Sequence, residues 1–372
     1  MDGALGRISS FCDTEEVKIM RDIFDYVFVT HLPSFYKINL YNQLAKTHRV
    51  FVVFIGQASV SRANDFTEQE KNFDSVTLNT GAFEGRSVFK SLSALWQLLA
   101  KLRYQKIIVG GWDLPEYWLI ALLKAKKKNY LALESSIFES HTIGSKALIK
   151  KFFLKRMKGV FYSGIPHRQL LEVLNYQGEM VQTGGVGLMH MAQMLVDKPV
   201  ENEDWIRKKR FLYVGRLAPE KNIELLLQVF KNFPHYQLTL VGDGPLREKI
   251  KQTKTDNIHV LGHVHYQTLA DIYHQHDIFI LPSFKEPWGL VVEEALFHGL
   301  PVIASHRVGA SMDMIEAYGV GRLFNPVSAL ELEEAMKWTI ENYTALCERI
   351  AKIDFQARAT QQVKSYTKTV LV

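Results

Sequence analysis

The chain reads as an α/β protein built from two successive parallel-sheet units. Three observations predict this. Tyr26–Thr30 (YVFVT) and Val50–Ile55 (VFVVFI) are apolar runs of strand length, and helix-spaced Leu40, Leu44 and Ala45 lie between them. A strand, a helix and a second strand in so short a stretch form a βαβ unit, which favours a parallel sheet. The same alternation restarts at Phe211, and 372 residues exceed what one ordinary core encloses. The expected division is a first domain over 1–195, a second over 196–350 and a closing helix over 351–372 that returns toward the first.

Composition narrows the class. Apolar residues make up 47% and charged residues 23%, as in a soluble globular protein. Two cysteines, Cys12 and Cys347, imply no disulfide framework and fit a reducing cytoplasm. No apolar run is long enough to span a membrane, and the acids in MDGALGRISSFCDTEE do not describe a secretory leader. The net charge of +6 is uneven: residues 1–200 carry +7 and the remainder −1. Between 124 and 168 there are eleven basic residues and two acids, Glu134 and Glu139, a concentration that calls for a partner.

In the first half, residues 1–24 are polar and weakly periodic, with no assigned role. The first strand ends in His31-Leu32-Pro33-Ser34, and ligands of parallel sheets bind at the carboxyl ends of strands, so His31 is a candidate site residue. Tyr36 and Lys37 follow in the turn. Lys37 suits either a phosphate or acceptor contact or a solvated helix start. Residues 61–90 read as a loop and 90–104 as an amphipathic helix. Lys106–Val109 is a strand ending in Gly110-Gly111-Trp112-Asp113. There the Trp112 indole can stack on a sugar face and the Asp113 carboxylate can orient hydroxyls, or the turn is merely tight with a packed Trp. Tyr130–Leu133 ends in the same way at Glu134. Residues 146–158 (KALIKKFFLKRMK) can form a helix with Ile149, Phe152, Phe153 and Met157 along one side. Lys146, Lys150, Lys151, Lys155 and Lys158 lie off that stripe. This helix either rests on an anionic membrane surface or packs its stripe on its own domain. Nucleic acid is the other usual reading of a basic stretch, but no recognised nucleic-acid motif accompanies it, so no such partner is expected. Val160–Ser163 is a further strand, a helix follows around 166–176, and the domain junction is placed in the polar segment 197–210.

In the second half, strand FLYV ends at Gly215-Arg216-Leu217, and Pro219 is placed as the first helical residue, with Ile223, Leu226, Leu227 and Phe230 continuing the face. Arg216 and Lys221 then flank a helix N-terminus. Cations there oppose the helix dipole at a cost of a few tenths of a kcal/mol or more, unless an anion such as a diphosphate sits between them. Leu238–Val241 leads into Gly242-Asp243-Gly244-Pro245, whose lone G-x-G is a weak dinucleotide signal. Ile258–Leu261 leads to Gly262-His263-Val264. His263, His265, His274 and His276 lack a third convergent ligand, so no metal site is expected. Residues 281–304 (LPSFKEPWGLVVEEALFHGLPVIA) read as strand end, loop, helix and strand. Pro282 ends the strand and Pro287 with Gly289 shape the loop. Leu290, Val291, Ala295 and Leu296 recur at helical spacing, and Gly299 and Pro301 end the helix. Glu286 sits at the helix mouth and Glu294 about one turn inside. Each is either a solvated helix charge or a carboxylate for sugar hydroxyls beside a phosphate-binding helix N-terminus. Arg307-Val308-Gly309-Ala310 is a glycine loop expected to face the same cleft, and helices are expected over about 329–371.

The ordered string Ser283, Glu286, Gly289, Glu294, Ala295, Gly299, Pro301, Val302 resembles the E-x7-E signature of the retaining glycosyltransferases of family 4, GT4. Gly215-Arg216-Leu217 with Glu220-Lys221-Asn222 resembles the G-R-L-x-x-x-K-G segment of that family, with Asn222 where Gly is common, and the G-D-G-P turn also resembles the family's. The resemblance is specific over roughly 210–326 and weaker over 26–190, where a glycine-rich turn common in the family is replaced by Pro33, Tyr36 and Lys37. It implies the GT-B architecture, two Rossmann-like domains facing across a cleft. It also implies transfer of a sugar, with retention, from a UDP- or GDP-linked donor to a glycan or lipid-linked acceptor, in cell-surface polysaccharide or lipopolysaccharide synthesis. In the family the Arg and Lys clamp the donor diphosphate, which points to Arg216 and Lys221 here. The helix N–H groups at Gly289, Leu290 and Val291 assist, Glu286 holds the donor sugar, Glu294 holds the ribose, and Gly262 and Val264 receive the base. His31, Tyr36, Lys37, Trp112, Asp113 and Glu134 fall on the acceptor side. No cofactor or metal and no protein nucleophile is implied. The expected setting is cytoplasmic, with peripheral contact to the inner face of the membrane through 146–158. Three other readings fit the fold: a sugar-nucleotide epimerase or inverting transferase, a hydrolase using two carboxylates, and a non-catalytic glycan-binding or partner subunit. The E-x7-E string disfavours the first, and the presence of both Arg216 and Lys221 disfavours the last.

Overall fold

A computed structural model describes residues 22–59, 70–189, 209–252 and 255–368. The polar N-terminal stretch to residue 21, with Cys12, and the junction segment up to 208 lie outside the described residues. So does part of the 61–90 loop. The chain divides into two compact units. One comprises residues 1–133, 149–161 and 177–180, and the other 134–148, 162–176 and 181–372.

The first sheet has seven strands in the order β3-β2-β1-β4-β5-β6-β7. They are β1 Ile23–Thr30, β2 Val50–Phe54, β3 Asp74–Thr77, β4 Arg103–Val109, β5 Asn129–Leu133, β6 Gly159–Tyr162 and β7 Glu179–Gln182. β1 pairs in parallel with β2 and β4, β2 with β3, and β4 with β5. The central strands read as unbroken apolar runs because both faces are covered: Val27, Val29, Ile107 and Val109 have no exposed surface. Each such side chain contributes about 1.5–3 kcal/mol relative to an exposed one. The helices of this half are α1 Phe35–Ala45, α2 Val88–Lys101, α3 Pro115–Leu123, α4 Gly144–Lys155 and α5 Ile165–Val173.

Two expectations are corrected here. The stretch 61–90 is not all loop, since Asp74–Thr77 adds a strand beside β2. Its residues are half-exposed and short of apolar side chains, so period-two reading finds no signal. The stripe expected over 146–158 is also split. Phe153 and Met157 are buried, with Ala147 and Leu154, whereas Ile149 and Phe152 face outwards.

The second sheet has six strands in the order β10-β9-β8-β11-β12-β13. They are β8 Lys209–Val214, β9 Tyr236–Val241, β10 Ile258–Gly262, β11 Ile278–Leu281, β12 Val302–Ser305 and β13 Gly321–Phe324, and all their pairings are parallel. The helices are α6 Ile223–Phe230, α7 Arg247–Lys251, α8 Tyr266–His274, α9 Leu290–Phe297, α10 Ala329–Glu341, α11 Tyr343–Ile350 and α12 Phe355–Thr367. A π-helical turn, Ser311–Glu316, precedes β13. Ser328 and Asp354 cap α10 and α12 by accepting from the Glu331 and Ala357 N–H groups at 3.1 and 2.8 Å. No described helix is long and apolar enough to cross a membrane.

Both strand orders reverse direction beside their first strand. In the first sheet the reversal falls between β1 and β4, and in the second between β8 and β11. Loops leaving two strands on either side of such a reversal diverge and open a crevice at the carboxyl edge, which is where ligands of doubly wound sheets bind.

Candidate active site

In the second sheet the two loops at the reversal are Gly215–Asn222, after β8, and Pro282–Gly289, after β11. The first does not run straight into a helix. Pro219–Lys221 forms a separate 3-10 turn, and Asn222 adopts the left-handed conformation at φ 57° before α6 begins at Ile223. The placement of Pro219 as the first residue of that helix is therefore corrected. A left-handed residue accounts for the preference for glycine at this position, and asparagine is the next best tolerated. The buried Asn222 side chain donates to the Pro282 and Pro326 carbonyls at 3.1 and 2.7 Å. The Lys221 turn is thereby tied to the strand end that precedes Ser283.

The turn Gly242–Pro245 supports the same loop. A Cβ at Gly242 would lie 1.9 Å from the Gly215 carbonyl, so only glycine permits this approach. The Leu217 N–H donates to the Asp243 carbonyl at 2.9 Å. The signal that read weakly as a dinucleotide turn is thus a brace under Arg216.

Lys221 forms an ion pair with Glu286, and both side chains are largely buried, 15% and 13% exposed. Ser283, fully buried, donates to the same Glu286 oxygen at 3.3 Å. Glu286 is therefore not a solvated helix charge. Arg216 pairs with Glu220 and is half-exposed. The Glu286–Gly289 loop is held from its far side: the Gly309 and Ala310 N–H groups donate to the Glu286 and Trp288 carbonyls at 2.9 and 2.8 Å. Gly289 turns the chain at φ 93° into α9, where Leu290 and Val291 begin the helix. The opening N–H groups of a helix have no partner inside it and carry its positive end.

Glu294 lies one turn into α9. It accepts from the buried Tyr273 hydroxyl at 3.1 Å, and the Tyr273 ring stacks on His298. Burial pushes the Glu294 carboxyl up to about 7, the Tyr273 hydrogen bond opposes this, and the neighbouring Glu293 carboxylate adds to it. Glu293 is buried on the other side of the helix, where the indole N–H of buried Trp288 donates to it. Burial raises the Glu293 carboxyl, with Arg358 and the indole opposing. Glu293 also lines a cavity of about 320 Å³ with Thr183, Tyr318, Arg358 and Gln362. Trp288, Glu293 and Tyr273 escape sequence reading because a loop tryptophan, an apolar-flanked acid and a tyrosine inside a helix look like ordinary core and helix residues.

Gly262 closes β10 in a left-handed conformation, its carbonyl accepts from the Gly242 N–H at 2.7 Å, and the Arg247 side chain lies against it. Val264 packs on the core beside it. Among the histidines, His276 bonds the Ile272 carbonyl and Thr239, and His274 meets His298 at 3.1 Å. Among the described residues no group of three or more His, Cys, Asp or Glu is placed to hold a metal ion.

In the first unit, Lys37 is buried and donates to the Thr30 hydroxyl at 3.0 Å, so the solvated reading of Lys37 does not hold. The Thr30 hydroxyl and the Tyr117 hydroxyl both border Gly110, at the ends of β1 and β4. Tyr36 and His31 are half-buried, and the His31 ring packs edge-on against Phe83 at 4.4 Å. The Trp112 carbonyl accepts from the Trp118 indole at 2.9 Å, and Lys150 lies 5.1 Å from the Trp112 ring centre. Asp113 is exposed. Glu134 belongs to the second unit, where its carbonyl accepts from the buried His167 ring at 3.2 Å. His167 also lies against Trp288, 5.9 Å between ring centres.

Three likenesses to known proteins bear on this geometry. The chain is 37% identical over 123 residues to the sulfoquinovosyl transferase SQD2 of Arabidopsis thaliana, covering 32% of this chain and 24% of that protein. It is 36% identical over 115 residues to the O-antigen biosynthesis glycosyltransferase WbnH of Escherichia coli, covering 30% and 32%. The chain thus spans about a quarter to a third of the length of these two relatives. In fold it is similar to the Anabaena Alr3699/HepE protein, solved with UDP and glucose, with a TM-score of 0.69 and 14% identity over 93% of this chain and 100% of that one. Two parallel sheets flanked by helices, as in GT-B glycosyltransferase structures, bear out the expected fold class. The model of the family described as "Glycosyl transferases group 1" matches residues 200–356, the segment carrying the Arg216 turn and the Glu286–Glu294 loop.

Proposed function

We propose that this protein is a retaining glycosyltransferase that moves a sugar from a nucleoside-diphosphate donor to a glycan or lipid-linked acceptor. The observation that carries the reading is the Lys221–Glu286 pair, set at the sheet reversal directly before the N-terminus of α9 inside a glycosyl transferases group 1 segment. A diphosphate arriving there takes Lys221 as its counter-ion. Glu286 is released from the pair and is free to accept hydroxyl hydrogen bonds from the donor sugar. Arg216 leaves Glu220 for the same diphosphate, whose oxygens its fork-shaped donors match. As the glycosidic bond breaks, negative charge grows on the leaving diphosphate. Lys221, Arg216 and the N–H groups at Gly289, Leu290 and Val291 stabilise it electrostatically. Glu294 accepts from the ribose hydroxyls, and the Gly262–Val264 backbone receives the base. The reading uses no metal cofactor, because protein groups carry the charge.

The UDP held by the Alr3699/HepE structure supports a uridine donor, and the O-antigen role in the WbnH name supports a cell-surface polysaccharide setting. His31, Tyr36, Lys37, Trp112, Asp113 and Glu134 are assigned to the acceptor side, and the proposed location is cytoplasmic. A thermal-shift series with UDP, GDP, ADP, CMP and their sugar conjugates tests the reading. A ligand at a hundred times its Kd raises stability by about 2.7 kcal/mol. One diphosphate should give a clear shift that Lys221→Ala abolishes. No shift with any of them overturns the donor site and leaves a non-catalytic subunit as the better reading.

A further inference from the structure

Between β11 and α9 the chain from Pro282 to Gly289 is neither helix nor strand, apart from a single parallel bridge between Glu286 and Val308. Its position is therefore set by what it touches. One side is held through the backbone, where the Gly309 and Ala310 N–H groups donate to the Glu286 and Trp288 carbonyls. A Cβ at Gly309 would lie 1.8 Å from the Pro287 carbonyl oxygen, so the two segments are in close contact. The other side is held by the Trp288 side chain, which is 2% exposed. Its ring faces Gly164, where a Cβ would lie 2.8 Å from it, and the His167 ring. Such apolar contacts are non-directional and leave a flat ring able to slide in its own plane. A hydrogen bond from the indole N–H is directional and removes that freedom.

Glu293 supplies the acceptor, at a position where a carboxyl is costly. It lies on α9 among buried Val292, Ala295 and Leu296 and is itself 6% exposed. Withdrawing a carboxyl from water costs free energy that a leucine or methionine at the same place does not. Arg358 offsets part of this through its charge. Its two terminal guanidinium nitrogens, however, donate to the Tyr318 hydroxyl and the Gly184 carbonyl, at 3.0 Å each. Gly185 keeps room for the carboxyl, since a Cβ there would stand 3.3 Å from a Glu293 oxygen. A polar group is thus kept where packing alone favours an apolar one, and its hydrogen-bond donor is the Trp288 indole.

We infer that Glu293 is a positioning residue for the donor site: it fixes Trp288, and through Trp288 it places Glu286 and the N–H groups at Gly289, Leu290 and Val291. Glu286 lies two residues before Trp288 and Gly289 directly after it, so a shift of the indole carries both. A misplacement of about 1 Å at reacting groups costs on the order of a hundredfold in rate. The base and ribose contacts proposed above stand on other supports. Gly262–Val264 follows β10, and Glu294 is held by Tyr273. Loss of the Glu293 contact therefore falls on turnover more than on nucleotide affinity. Ionised or neutral, the carboxyl presents an oxygen to the indole, so a glutamine amide can replace it. The inference rests on the donor role proposed for the Glu286–Gly289 loop.

The test compares Glu293→Met, which keeps the length and loses the acceptor, with Glu293→Gln, which keeps an acceptor oxygen. The first arm uses the full chain without nucleotide, labelled with 15N-tryptophan. The chain has six tryptophans, and the Trp288 indole signal is the one that Trp288→Phe removes. Glu293→Met should move that signal and speed hydrogen exchange at the Gly309 and Ala310 amides by about tenfold, because the loop they bond to opens more often. Glu293→Gln should leave the signal and both amides near wild type. The second arm uses the sugar nucleotide that stabilises wild type in the thermal-shift series. Glu293→Met should lower turnover by about ten- to a hundredfold while its affinity for the diphosphate stays within about threefold of wild type. Glu293→Gln should restore turnover, and adding Trp288→Phe to Glu293→Met should cost little more, since both remove one contact. A methionine variant with wild-type exchange and turnover overturns the inference. So does a glutamine variant as impaired as methionine, which would make the charge beside Arg358 the reason for Glu293. A methionine variant that loses affinity, turnover and melting temperature together shows a merely structural role and also overturns it. If wild type binds no nucleotide, the donor reading fails, while the first arm still decides whether Glu293 holds the loop.

Discussion

Replacing Asn222 separates two contributions that the structure assigns to one residue. Its backbone is left-handed, and its amide holds the Pro282 and Pro326 carbonyls at 3.1 and 2.7 Å in a buried setting. Asn222→Gly keeps the backbone conformation at no steric cost and loses both hydrogen bonds. At about 1–2 kcal/mol for each buried acceptor left unpaired, the expected loss is about 2–4 kcal/mol. Asn222→Ala loses the same bonds and adds about 1–2 kcal/mol for a Cβ in the left-handed region. Asn222→Asp keeps the shape but replaces the amide donor by an acceptor facing two carbonyls, so it should fall below glycine as well. Chemical denaturation followed by tryptophan fluorescence, which reports Trp288 in the same unit, measures the series. The expected order is wild type, then glycine, then alanine. A glycine variant as stable as wild type refutes the role of the two hydrogen bonds, and alanine equal to glycine refutes the left-handed assignment. The amide also ties the Lys221 turn to the Ser283 loop, so the glycine variant should bind nucleoside diphosphate less tightly than wild type even when fully folded.

Three further outcomes are expected. Lys221→Ala should lower turnover by about a hundredfold or more, as for loss of one oxyanion donor, and leave Glu286 buried without its partner; a near wild-type rate in a coupled diphosphate-release assay would sink the clamp. His167 is buried, and burial holds its ring down at about 4, so the folded state stays neutral while the unfolded chain binds a proton near 6.5. The unfolded state then holds more protons between those values, and stability should drop by about 3 kcal/mol as pH falls from 6.5 to 4 and be flat above; a His167→Gln variant with the same acid slope would show that another group is responsible. Glu294, raised to about 7 by burial, should release protons when ribose hydroxyls favour its ionised form, so donor binding at pH 6 should show a buffer-dependent calorimetric enthalpy that Glu294→Gln removes; an enthalpy independent of buffer would mean the carboxyl does not meet the ribose.

Much of this molecule is decided by local chemistry that a sequence displays. Buried parallel strands need unbroken apolar runs, so β1, β2, β8 and β11 announce themselves. The Pro282, Gly289, Gly299 and Pro301 punctuation bounds α9 because those residues act on their own backbone. β3 and β7 are silent because edge strands with half-exposed residues carry no apolar period. Tertiary structure alone decided what faces what. Glu286 and Lys221 are 65 residues apart, and only the reversal of strand order between β8 and β11 makes them a pair. Trp288 meets His167, and Asn222 reaches Pro326, for the same reason: contacts between distant segments depend on sheet order. The α4 face shows the limit most directly. Its residues alternate apolar and basic in a way that fits either a packed stripe or a docking face. Which side chains turn inwards depends on where the core already has Phe153 and Met157, a fact of packing that periodicity alone does not contain.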